Sequence, residues 1–190
     1  MEIEGNIFGF RPLISEDWVN LEKLFGKRGA SGGCWCMFWK QTQAEFDRMH
    51  GEQNRLALKS VVESGTVPGV LAYQDNEPAG WCAVEPRESY SRLGRAKVLA
   101  PVDDQPVWSV TCFFIGKQYR RKGLMQGLLK AAIDWARSNG AHIIESYPFD
   151  IQQGVRSSAA YMGVIPVYLE NGFVEVMRRS PRRPIMRKHL

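Results

Sequence analysis

Trp108-Ser109-Val110-Thr111-Cys112-Phe113-Phe114-Ile115-Gly116-Lys117-Gln118-Tyr119-Arg120-Arg121-Lys122-Gly123-Leu124-Met125-Gln126-Gly127-Leu128-Leu129 decides the fold. The run from Trp108 to Ile115 is rich in β-branched and aromatic residues and reads as a central strand. From Leu124, the apolar residues Leu128, Leu129, Ala132, Ile133 and Ala136 recur at helical spacing, and Asn139-Gly140 supplies a stop. Between strand and helix lie Arg120, Arg121, Lys122 and then Gly123. A helix N-terminus exposes unpaired N–H groups and partial positive charge, and a glycine lets a ligand come close to the backbone. Strand, basic turn and helix therefore read either as a pyrophosphate cradle or as an ordinary turn with solvated charges.

Arg120-Arg121-Lys122-Gly123-Leu124 resembles the acetyl-CoA signature of the GCN5-related N-acetyltransferase (GNAT) family. That signature is an Arg or Gln, two residues, Gly, one residue, then Gly or Ala. The chain fits its first five positions, and Met125 departs from the sixth. No Gly-Lys-Ser/Thr follows, as a Walker motif requires, and the spaced glycines of a dinucleotide fingerprint are missing. A second landmark is Tyr168-Leu169-Glu170-Asn171-Gly172-Phe173, which resembles the family's aromatic residue four positions before a Gly-Phe that opens the next strand.

Working outward, Ile7–Arg11 suits a first strand, and Ser15-Glu16-Asp17 suits a helix start with Ser15 as N-cap. Four glycines between Gly26 and Gly33 interrupt the pattern before Cys34-Trp35-Cys36-Met37-Phe38-Trp39. That bulky run reads as core lining or as one wall of an acceptor pocket. Gln41–His50 and Glu52–Ser64 read as helices broken near Gly51. Val70–Tyr73 and Gly80–Val84 form a hairpin around the turn residues 74–78. His142–Ser146 is a strand, 157–170 is helical with a break at Gly163 and Pro166, and Phe173–Met177 and Ile185–Lys188 close the chain as strands. This order predicts an α/β fold with a mixed sheet. The resemblance sharpens it to a mostly antiparallel, twisted sheet of six or seven strands, with helices on both faces, in a single domain spanning 1–190.

The 190 residues suffice for a substantial core, and the net charge of +5 favours anionic ligands. Much of that charge lies in the C-terminal arginine cluster, including Arg182, Arg183 and Arg187. These lack interleaved stacking aromatics, which argues against nucleic acid as a partner. Cys82 and Cys112 sit in apolar strands and read as buried thiols, while Cys34-Trp35-Cys36 has no second ligand pair for zinc. The expectation is reduced cysteines in a cytoplasmic protein with no metal, no signal peptide and no membrane segment. A homodimer is compatible with the pattern.

The resemblance implies acetyl transfer from acetyl-CoA to a primary amine of a small molecule or peptide, directly and without a covalent intermediate. Backbone groups of Phe113 and Ile115 would pair with the pantetheine amides. Amides of Arg120, Arg121, Lys122, Gly123, Leu124 and Met125 would hold the pyrophosphate. Tyr168 would be the general acid towards the CoA sulfur. Glu145, at a strand exit, is the candidate base, with Glu85 as runner-up and a water chain as the alternative to both. Trp35, Trp39 and Tyr147 are the candidate acceptor pocket. The rival expectation is a non-catalytic acyl-CoA-binding module on the same fold.

Overall fold

The structure, a computed structural model, describes residues 1–3, 6–150 and 157–190. A short antiparallel pair, β1 (Glu2–Ile3) and β2 (Asn6–Ile7), precedes the main sheet. That sheet contains β3 (Gly9–Pro12), β4 (Gly69–Gln74), β5 (Glu77–Pro86), β6 (Trp108–Ile115), β7 (Ile143–Ser146), β8 (Val174–Met177) and β9 (Ile185–His189). Its order is β3-β4-β5-β6-β7-β9-β8. Every neighbouring pair is antiparallel except β6 and β7. The helices are α1 (Trp18–Phe25), α2 (Gln43–Arg48), α3 (Glu52–Glu63), α4 (Ser91–Arg95), α5 (Leu124–Ser138) and α6 (Ile165–Glu170). The seven-stranded mixed sheet flanked by helices is the expected fold.

Alternation along the strands sends side chains to two cores. Val70, Ala72, Cys82, Val84, Val110 and Phe113 pack on one face against Leu128, Leu129, Ala132 and Ala136 of α5. Leu71, Tyr73, Trp81 and Ala83 pack on the other against Leu21, Phe25, Leu58 and Val62 of α1 and α3. The hairpin turn is tighter than the 74–78 stretch suggests. Asp75 and Asn76, at φ 50° and 64°, make a two-residue turn of the primed kind, so Glu77 and Pro78 join β5. Ser15 does not cap α1, because its hydroxyl donates to the Val62 carbonyl at 3.3 Å. The side-chain cap lies instead at α2, where Thr42 and Glu45 form a reciprocal capping box.

The feature that positions the site is the parting of β6 from β7. Ala83 pairs with Cys112 and Val84 with Val110, so Thr111 is an extra residue in β6. Such a bulge bends its strand and re-aims the residues beyond it. On the other edge, pairing with β7 ends at Val110 and Ser146, although β6 runs on to Ile115.

Below this parting lies a buried carboxylate. Glu145 is fully buried and takes Arg87 Nη1 on Oε1 at 2.6 Å and Arg187 Nε on Oε2 at 2.7 Å. The Tyr147 hydroxyl donates to Oε1 at 2.6 Å and accepts from Ser109 Oγ at 2.8 Å. One carboxylate thereby links β5's exit, β6, β7 and β9. We predict that Glu145→Ala, which strands two buried guanidinium groups, lowers stability by about 3–5 kcal/mol. Urea unfolding measures this, and a loss below about 1 kcal/mol would contradict it.

Candidate active site

A cleft of about 830 Å³ opens where β6 leaves β7. One end is lined by Ile115, Arg120, Arg121, Gly123, Leu124, Met125 and Gln126. The other is lined by Cys36, Phe38, Trp39, Cys112 and Tyr161. Phe113 and Phe114 form the strand wall between them.

The basic end is built from backbone. Gly123 precedes α5 in the left-handed region, at φ 66° and ψ 1°, and Arg121 shares that conformation at φ 61°. Successive residues near these angles turn their N–H groups into one concavity. Among the described residues, the amides of Arg121, Lys122 and Gly123 have no backbone acceptor. The first-turn amides of Leu124 and Met125 have no intrahelical acceptor either, as in any α-helix. Gln126 N–H returns to the Gly123 carbonyl at 2.9 Å, which fixes the turn. Arg120 is partly tied back, its Nε donating to the Ile115 carbonyl at 3.0 Å. Met125, the departure from the family pattern, lines the cleft with its side chain and still has its N–H.

The aromatic end rests on a strained loop. Trp35 and Cys36 both have positive φ, 44° and 55°, a conformation costly for side-chain-bearing residues. Packing holds it. The Trp35 ring stacks on Trp18 at 6.0 Å and tilts against Phe25 at 5.4 Å. It also covers Gly29 so closely that a Cβ there would lie 2.1 Å from the indole nitrogen. The glycines before Cys34 are thus the surface against which this segment is pressed. The thiols of Cys36 and Cys112 meet at 3.4 Å on the cleft wall. Cys112 is half-buried there rather than sealed in the core.

The sequence-predicted residues separate into three groups. Phe113, Ile115, Arg120, Arg121, Gly123, Leu124, Met125 and Trp39 line the cleft; Lys122 lies in the same turn. Tyr168 lies behind the wall. It is fully buried, edge-on to Phe113, its hydroxyl donating to the Met162 carbonyl at 2.8 Å. Burial pushes its pKa up, so the phenol stays protonated.

Glu145, Tyr147 and Trp35 fall outside the cleft, which corrects three expectations. Glu145 is clamped by two arginines and carries no free oxygen to act as a base. The Tyr147 hydroxyl is consumed in the same cluster. Trp35 belongs to the core around α1. Glu85, the second candidate base, is buried in an ion pair with Lys40, and burial raises its pKa. No Asp, Glu or His lines the cleft among the described residues. Contributors that the sequence did not single out include Phe114, Gln126 and the thiol of Cys112. The apolar run 34–39 signalled a wall, but not which of its side chains turn inward.

The chain belongs to the acetyltransferase (GNAT) family, whose model matches residues 34–161. No curated protein sequence matches it. Among solved structures, an acetyltransferase of the GNAT family from Listeria monocytogenes aligns over 100% of this chain and 99% of its own, with TM-score 0.62 and 11% identity. YncA from Salmonella typhimurium, solved with its cofactor acetyl-CoA, aligns over 97% and 95%, with TM-score 0.57 and 15% identity. PaiA N-acetyltransferase from Thermoplasma acidophilum, in complex with coenzyme A, aligns over 97% and 99%, with TM-score 0.54 and 14% identity. At these identities the likeness is one of fold. Among the described residues no helix is long and apolar enough to cross a membrane, and no cluster of three or more His, Cys, Asp or Glu is arranged for a metal.

Cys34, which also lines the cleft, carries a chemically quiet thiol. Burial, reinforced by Cys36, pushes Cys34 up to about 11. Near neutral pH it therefore presents roughly a hundredfold less thiolate than an ordinary cysteine. We predict that iodoacetamide at pH 7.5 labels Cys34 at least that much more slowly than a free thiol, as followed by mass spectrometry. Labelling at the free-thiol rate would contradict this.

Proposed function

We propose that the protein transfers an acetyl group from acetyl-CoA to an amine. One observation carries this reading: the unpaired edge of β6 leads directly to unpartnered amides before α5. Backbone groups of Phe113 and Ile115 suit the pantetheine amides, and the concavity at 121–125 suits a diphosphate. Arg120, Arg121 and Lys122 add charge at the same end. Acetyl-CoA supplies an activated thioester, and complexes of YncA and PaiA hold such cofactors on the same fold.

An amine suits this cleft better than a hydroxyl. A neutral amine attacks without prior loss of a proton, whereas a hydroxyl needs a general base, and no carboxylate or imidazole lines the wall. Proton removal then falls to solvent. Tyr168 is the proposed proton donor to the departing sulfur, exchanging its bond to the Met162 carbonyl for one across the opening. On this reading transfer rests mainly on the alignment of the two reactants. The missing base equally suits a non-catalytic acyl-CoA-binding module, and acceptor-dependent release of free thiol separates the two.

Calorimetry with coenzyme A tests the cradle. Gly123→Ala places a Cβ in the left-handed region at a cost of about 1–2 kcal/mol; the free turn is expected to relax away from that strain, so that binding must restore it and loses roughly 5–30-fold in affinity. Unchanged affinity, or no binding to the parent protein, would overturn the assignment. Tyr168→Phe is expected to slow turnover by about 10²-fold with coenzyme A affinity intact. Without an enzyme base, kcat/KM at subsaturating amine should rise with pH until the acceptor's own pKa and then level. A plateau set by an enzyme group, identical for amines of different pKa, would show that a base exists.

A further inference from the structure

Behind the aromatic end of the cleft stands an arginine that no carboxylate among the described residues pairs with. Arg183 follows a turn closed by its own N–H to the Ser180 carbonyl at 3.2 Å, between β8 and β9. Its guanidinium lies over Phe149, 4.0 Å from the ring centre, and 6.0 Å from the centre of Trp39. Nη1 points at Met162 Sδ, 2.9 Å away, and its charge acts on the nearby Tyr161 hydroxyl. Trp39 and Tyr161 line the cleft, so the guanidinium stands immediately behind its wall.

Neighbouring arginines are satisfied by oxygen. Arg187 has Glu145 and Asp103, Arg178 has Glu175 and Asp150, and Arg87 has Glu145. Arg179 donates to the Ala100 and Pro101 carbonyls. Arg92, stacked on Phe38, donates to Gln41, Thr42 and Gln43. Among the described residues the Arg183 side chain has only a thioether, a weak acceptor, as hydrogen-bond partner. The segment 151–156 contains no acid in its sequence that could supply the counter-ion. A half-buried guanidinium with a planar five-donor fork and no anion is arranged to receive one, in two parallel hydrogen bonds. Phe149 holds it through a cation–π contact, so little side-chain freedom remains to be lost on binding.

We propose that Arg183 binds a carboxylate on the acceptor, so that the amine acetylated is borne by a carboxylate-containing molecule with a flat apolar body. This rests on the acetyltransferase reading for the amine, but not for the carboxylate. The apolar body would lie between Phe38, Trp39 and Tyr161, with the amine towards Cys112 and Phe113. The carboxylate would reach the guanidinium by displacing the Tyr161 ring from between it and the cleft.

The test uses matched pairs that differ in one group: L-phenylalanine against phenethylamine, L-tryptophan against tryptamine, and 4-aminobenzoate against aniline. Acetylation is read as free thiol release, with pH set to equalise the neutral amine fraction within each pair. The wild-type protein should favour the carboxylate member by at least tenfold in kcat/KM. Arg183→Met, close in length but uncharged, should abolish that preference through KM while leaving coenzyme A affinity unchanged. Arg183→Lys should restore part of it. Equal or better use of the decarboxylated amines, or an unchanged preference in Arg183→Met, would overturn the proposal. If none of the pairs is acetylated, calorimetric titration of the coenzyme A-loaded protein with benzoate and 3-phenylpropionate decides. Binding lost in Arg183→Met supports the carboxylate site, and no binding, or binding that Arg183→Met leaves unchanged, overturns it. Failure to bind coenzyme A at all would refute the acetyltransferase reading, and the same titration on the unloaded protein would still report on Arg183.

Discussion

Two adjacent parallel strands can be hydrogen-bonded at one end and separated at the other only if something holds the joined end. In this protein that holding force is the carboxylate of Glu145. Its partner residue in β6 is Ser109, and its partner in β9 is Arg187, which also supplies one of its counter-ions. Arg87, just beyond β5, supplies the other. A charge buried this deeply is tolerated because both oxygens are bonded to cations. The opening of the cleft begins one residue further along each strand, after Val110 and Ser146. The bulge at Thr111 then turns Cys112–Ile115 away while β5 keeps hold of the other edge. A backbone edge free of its neighbour would be a liability on a surface. Inside a cleft it becomes a row of donors and acceptors for a ligand.

The same strand explains why the cleft has two unlike ends. Beyond Ile115 the chain turns through Gly116 into the basic segment and α5, so that end is made of amides and cations. Opposite Cys112, the loop before α2 supplies the other end, and its contribution is side chains. Trp35 and Cys36 are held at positive φ by the ring packing around Trp18 and Phe25. Lys40 is buried in its pair with Glu85, and its ammonium lies 5.1 Å from the Tyr90 ring centre. With Trp35 and Lys40 fixed on the interior side, Phe38 and Trp39 are left to face the cleft. The local strain produces a wall that a relaxed loop of the same residues would not make.

The sheet is legible in the sequence because its signal is periodic. Alternation in 70–73 and 80–84, and helical spacing from Leu124 to Ala136, depend on near neighbours in the chain. The turn at 120–123 is legible for a related reason: a row of consecutive amides before a helix is a contiguous object. The features that escape the sequence are those decided across the fold. Glu145 at a strand exit has the pattern of a base, and only the positions of Arg87 and Arg187, 58 and 42 residues away, make it structural. Trp35 and Trp39 sit in the same apolar run, but one packs beneath the glycine loop and the other faces the cleft. Arg183 reads as one member of a basic cluster, because a sequence shows a charge without showing whether its counter-ion arrives.

Magnitudes favour a cleft that works chiefly by alignment. A positioned general base contributes about 10²–10⁴-fold, or roughly 3–5 kcal/mol. Bringing two reactants into attack geometry contributes about 7–11 kcal/mol. The larger of these requires rigid handles at both ends. That is the arrangement found here, with fixed amides at one end, stacked aromatics at the other, and Phe113 and Phe114 between. The smaller contribution is forgone in a cleft wall without carboxylates, and an acceptor that loses its proton to solvent beforehand does not miss it. A carboxylate placed beside Cys112 would also have to be desolvated among Phe38, Trp39 and Phe113, at a cost of several kcal/mol unless paired. The apolar lining of that end and the lack of a carboxylate there among the described residues are therefore two consequences of one choice of side chains.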